Sequence, residues 1–107
     1  MEVIWSNFAK VCLKEIYLFH KEKANEKVAK NIKDVVLSST KQLIAHPKSG
    51  EIEENLKILN QNHRYLVVSH FKIIYRPVAE GILISDVFDC RQDPSKMNKN
   101  NQNQIHN

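Results

Sequence analysis

Apolar residues recur at helical spacing in the first half of this chain and at strand spacing in the second, with the change falling at the HPKSG sequence of residues 46–50. Residues Glu2 to Trp5 form a short apolar segment suited to a first strand, and Ser6 then offers a hydroxyl that can cap a helix start. Phe8, Cys12, Ile16 and Phe19 follow at spacings of four and three, which predicts one face of a helix running to about Lys23. A second helix is predicted from about Asn25, where Val28, Ile32, Val35, Ser39 and Leu43 repeat, while Lys27, Lys30, Lys33, Asp34 and Lys41 lie largely elsewhere around the axis. The link near Ala24 and Asn25 is so short that the two helices should form a hairpin. Pro47 resists helix continuation and Gly50 tolerates positive φ, so the helical region ends between them.

Beyond that point Glu51, Glu53 and Glu54 occupy a polar connection, and Leu56 to Leu59 reads as a short strand. Gln61 and Asn62 then turn into Arg64 to Val68. Ser69 and His70 turn into Phe71 to Val78, and Glu80 and Gly81 turn into Ile82 to Phe88. Strands this close in sequence pair antiparallel. The predicted class is α+β, in the order β-α-α-β-β-β(-β), with the helix hairpin packed on one face of a mainly antiparallel sheet. The other face is then left for solvent or a binding partner. Along the strand from 71 to 78, Phe71, Ile73 and Tyr75 point to one side and Lys72, Ile74 and Arg76 to the other. The aromatic side should meet the helices, which leaves Lys72 and Arg76 on the open face, where Arg64 and Arg91 join them if register allows.

Composition fits one domain, assigned to residues 1–97, followed by a disordered polar tail over 98–107. The 107 residues suit a single core. After Met97 the amide-rich NKNNQNQIHN has too little apolar matter to offset ordering entropy. No run approaches the roughly 20 apolar residues that span a bilayer. MEVIWSNF carries an acid and no basic region ahead of an apolar stretch, so it does not read as a signal peptide, and a cytoplasmic location away from membranes is expected.

The net charge is +4, a surplus compatible with an acidic partner but also with solvated helices. Its distribution is more informative. Of 16 basic residues only Arg64, Arg76 and Arg91 are arginines, and all fall in the strand block. Arginine offers a planar fork of donors suited to carboxylate or phosphate, whereas lysine is a hydrated point charge. Each arginine could instead pair with Glu80, Asp86, Asp89 or Asp93. From His63 to Arg76 there is no acid, so Lys72, with Tyr65 and His70 nearby in sequence, extends a cationic patch fit for a phosphate backbone or an acidic protein surface. Cys12 and Cys90 lack the spacing of a zinc or redox site, and no metal or cofactor is expected.

The block Arg64 to Pro94, RYLVVSHFKIIYRPVAEGILISDVFDCRQDP, resembles the core of the RelE/ParE toxin superfamily. It carries an aromatic and basic pair, an IxYR-like strand, a turn, an apolar strand and an Arg-x-Asp-Pro-like terminus, and the upstream helices agree in order. The resemblance covers about residues 2 to 97. It implies the toxin of a type II toxin-antitoxin pair, partnered by an antitoxin through which alone the complex meets DNA.

Two targets are implied by the two branches. In the RelE branch basic residues activate the 2′-hydroxyl of ribosome-bound mRNA, and Lys72 and Arg91 match two such positions. Position 65, however, is tyrosine where that branch tends to place a catalytic lysine, and no tyrosine follows Arg91. The ParE branch looks like the same fold without catalytic side chains, acting by binding DNA gyrase, and these absences favour it. The expected function is therefore a ParE-like, noncatalytic gyrase-binding toxin that inhibits bacterial growth. The alternatives are a RelE-like ribosome-dependent endoribonuclease and a noncatalytic nucleic-acid-binding or structural module. Arg64, Lys72, Arg76 and Arg91 are the expected target contacts, or the catalytic set of a ribonuclease, with Tyr65 and His70 in support.

Overall fold

The computed structural model describes residues 1–89 of the chain; Cys90, Arg91 and the polar tail lie outside the described residues. Strand β1 (Glu2–Trp5) leads into helix α1 (Asn7–Lys23) and helix α2 (Glu26–Lys41), which a short 3-10 turn extends over Gln42–Ile44. The sheet is completed by β2 (Glu51–Ile52), β3 (Arg64–Val68), β4 (Phe71–Val78) and β5 (Gly81–Asp89), in spatial order β1-β5-β4-β3-β2. Strands β2 to β5 pair antiparallel, whereas β1 pairs parallel with β5, so the first strand lies beside the last.

The helix boundaries follow from their caps. The Ser6 hydroxyl accepts the Ala9 N–H at 3.0 Å, and the Asn25 side chain accepts the Val28 N–H at 2.8 Å. Each satisfies one of the donors that a helix start leaves orphaned. Ala24 ends α1 and Asn25 begins α2, leaving the chain no option but a hairpin.

The core forms where this hairpin meets the sheet. Ala9, Leu13, Val36 and Leu43 pack with Phe71, Ile73, Tyr75, Ile82, Ile84 and Val87. Of the predicted stripes, Leu43 is fully buried and Cys12, Ile16 and Ile32 pack against the core, but the most buried positions of both helices are shifted by about one residue from the large apolar ones. Ala9 and Leu13 are buried while Phe19 is 54% exposed, and Ala29, Val36 and Thr40 are buried while Val28 and Val35 are exposed. Alanine and threonine are weak hydrophobic signals, but their small size admits close approach, and close packing decides which face turns inward.

Residues 56–59 depart from the predicted strand. They belong to a 3-10 helix, Glu54–Leu59, that lies across the second face of the sheet. The Glu53 side chain accepts the Asn55 N–H, and the Glu53 carbonyl accepts the Leu56 N–H, which starts a helical turn. Leu56 and Leu59, three apart, then share one side of that turn and cover Ile74 together with Tyr65 and Phe88. The face opposite the helices is consequently half roofed rather than open.

Gly81 fixes the sheet's outer strand. Its φ is +146°, and a Cβ would collide with the backbone of Glu2, the residue it pairs with in β1. Only glycine permits this approach.

Candidate functional site: a cationic sheet face under a short helical roof

Register divides the predicted cluster. Tyr65 lies opposite Ile74, and Val67 opposite Lys72, so these side chains share the roofed face with Arg76. Arg64 lies opposite Tyr75 on the helix side, and its Nη1 donates to the Gly50 carbonyl at 2.8 Å. The structure thus brings Lys72, Tyr65 and Arg76 to one face and places Arg64 on the other. Arg91 falls outside the described residues.

Lys72 is engaged within the protein. Its Nζ lies 2.5 Å from Oε2 of Glu53, a carboxylate only 2% exposed, and its own side chain is 19% exposed. The ammonium also sits 4.1 Å from the centre of the Tyr65 ring, and the Tyr65 hydroxyl donates to Glu51 at 2.6 Å. A buried carboxylate needs a cation, and an aromatic face offers that cation a second favourable contact. Sequence reading missed Glu53 because β2 is only two residues long. Its side chain reaches this face because its N–H bonds the His63 carbonyl, which continues the β2–β3 ladder.

His63 is buried beside this pair. Burial first, and then the charge of Arg76, push its pKa from 6.5 to about 4, against the opposing pull of Glu53. It is neutral near pH 7, and its Nδ1 has no hydrogen-bond partner among the described residues. Arg76 is partly buried and makes no hydrogen bond or ion pair within residues 1–89. Of the three basic side chains seen on the described strands, only its guanidinium is uncommitted.

His70 sits in the β3–β4 turn, stacked at 4.5 Å on Phe71 and with Nε2 4.0 Å from Asp89. The Cys12 thiol, close to Asp86 at 3.7 Å, is pushed up to about 12 by burial and by that carboxylate, so it stays protonated and weakly reactive. Among the described residues, no group of three or more His, Cys, Asp or Glu side chains could hold a metal ion. No helix there is long and apolar enough to cross a membrane.

The comparisons with known proteins agree with this architecture. The family model described as ParE toxin of type II toxin-antitoxin system, parDE, matches residues 3–94. The chain belongs to the ParE toxin family. Within the ParE fold, a solved structure described as the chromosomal ParDE TA system from P. aeruginosa superposes with a TM-score of 0.71 at 19% identity, covering 83% of this chain and 95% of that one. A search of the curated proteins gave no match. As a ParE-family toxin of a type II system, the chain has an antitoxin as its partner.

Proposed function

We propose that this ParE-family toxin arrests bacterial growth in the cytoplasm by binding DNA gyrase, without cutting nucleic acid. The observation that carries this reading is the contrast between Arg76 and the remaining ionisable groups of the roofed face. Proton transfer to and from a 2′-hydroxyl needs accessible groups that exchange protons near neutral pH. Lys72 is held by Glu53, and His63 is buried, so both are poor candidates. A binding surface needs only an oriented cation, and Arg76 supplies one.

In this reading Arg76 makes the leading target contact and Arg91 adds to it. Lys72 and Tyr65 hold the shape of the face, His70 supports its turn, and Arg64 sets the loop at Gly50 behind it. DNA is met only through the complex with the antitoxin. The test is a pair of assays on the purified protein. Gyrase supercoiling should be inhibited while mRNA on translating ribosomes stays intact. Site-specific mRNA cleavage abolished by Lys72→Ala or Arg91→Ala would replace this reading with the ribonuclease one.

A further inference from the structure

The helical roof packs on Ile74, Tyr65 and Phe88, and beside it a single row of side chains crosses the same face of the sheet. Ile4 on β1 pairs with Leu83 on β5, and Leu83 pairs with Arg76 on β4. One step beyond the pairing of Arg64 with Tyr75, His63 lies opposite Arg76, and the Glu53 N–H bonds the His63 carbonyl. Val3 and Trp5 pack against the core on the helix side, so alternation along β1 turns Ile4 to the face that carries Arg76. Val78, two residues past Arg76, shares that face.

Charge is sparse along this row. Ile4, Val78 and Leu83 are aliphatic and partly buried, His63 is buried and neutral near pH 7, and Glu53 is held by Lys72. Glu2, on the same side of β1 as Ile4, makes no ion pair with Arg76. The Arg76 guanidinium therefore stands in an aliphatic surround with its fork of donors unused among the described residues.

A nucleic-acid backbone and a protein carboxylate make different demands on such a row. Across the five strands it spans four interstrand spacings, about 19 Å, and one strand of a duplex laid along it would bring about five phosphates. The row meets them with one free cation. Its aliphatic groups gain nothing from phosphates, but they exclude water from a protein contact, which is the setting where an arginine contributes most to an interface.

We propose that Arg76 receives the carboxylate of an Asp or Glu side chain of the gyrase protein in a bidentate pair, while Ile4, Val78 and Leu83 pack on apolar residues around that carboxylate. This rests on the reading of the chain as a gyrase-binding toxin. It makes the recognition one between proteins, for which DNA is not needed. The planar fork of arginine matches a carboxylate and fixes its orientation, as a point charge does not.

The experiment titrates the full chain into purified gyrase by calorimetry, with and without DNA. Binding without DNA is expected. Raising salt from about 50 to 200 mM should weaken it about fourfold or less, as for one ion pair, whereas about five phosphate contacts would lose several hundredfold. Arg76→Lys, which keeps the charge and loses the fork, should weaken binding roughly tenfold. Leu83→Thr, whose branched side chain suits a strand, should weaken it severalfold. Both variants are to retain the wild-type circular dichroism, and Arg76→Lys keeps the test alive should Leu83→Thr disturb folding. An Arg76→Lys variant that binds as the wild type does, a loss of several hundredfold with salt, or binding seen only with DNA present overturns the carboxylate contact and leaves gyrase as the target. Failure of the wild-type chain to bind gyrase in either condition overturns the gyrase reading and this contact with it.

Discussion

The phenol of Tyr75 accepts the Gly50 N–H at 2.9 Å and, through its own proton, binds the Pro47 carbonyl at 2.8 Å. A strand residue in the core thereby closes the loop that ends the helical region. Burial raises the Tyr75 pKa, so the hydroxyl keeps the proton it donates. Tyr75→Phe leaves the Gly50 N–H and the Pro47 carbonyl without this partner, and should lower the unfolding free energy by about 1–3 kcal/mol in urea titrations. Gly50→Ala should cost a similar amount, because a Cβ there would stand 2.5 Å from the Tyr65 carbonyl oxygen.

Removing one half of the Lys72–Glu53 pair should do more harm than removing both. Lys72→Met strands a buried carboxylate, and a loss of about 3 kcal/mol is expected. Lys72→Met with Glu53→Leu should recover most of that loss, since two apolar side chains of similar length can fill the space under Leu56 and Leu59. A double-mutant cycle by chemical denaturation checks the coupling, and simple additivity would refute it.

Acid should destabilise the fold through His63. Its folded pKa of about 4 lies below the unfolded 6.5, so between these values the unfolded chain binds a proton that the folded chain does not. The associated stability is present above pH 6.5 and is lost as pH falls towards 4, by up to about 3 kcal/mol. Urea midpoints at pH 7 and pH 5 measure it. In His63→Gln this part of the slope should vanish.

Arg76→Ala should reduce growth arrest on induced expression and leave the circular dichroism spectrum unchanged, because a side chain without a hydrogen bond or ion pair among the described residues contributes little to stability. His70→Ala should leave arrest nearly intact. Full toxicity in a folded Arg76→Ala variant would remove Arg76 from the target contact.

Periodicity exposed the element order because helices and strands impose different spacings, and Ser6, Asn25, Pro47 and Gly50 punctuate them. Alternation placed Phe71, Ile73 and Tyr75 correctly against the helices, with Lys72 on the far face. What stayed hidden depends on pairing between segments. Arg64 and Lys72 fall on opposite faces because of the β3–β4 register, which no local pattern in either strand reveals. The 3-10 roof was hidden for a related reason: Leu56 and Leu59 suit a strand until Ile74 gives them a surface to cover. Glu53 looked like a loop acid because burial of a carboxylate depends on a cation 19 residues later in the chain.

The pairing of β1 with β5 also bears on biosynthesis. The Ser6 amide meets the Ile84 carbonyl, so β1 can dock only after the chain through β5 has followed it out of the ribosome. Until then the nascent chain is a helix hairpin whose apolar stripe lacks Ile82, Ile84 and Val87. Contacts so distant in sequence close late and slowly. The complete sheet, with the Arg76 guanidinium on one face, therefore comes into being only once β5 has emerged, rather than growing strand by strand with the chain.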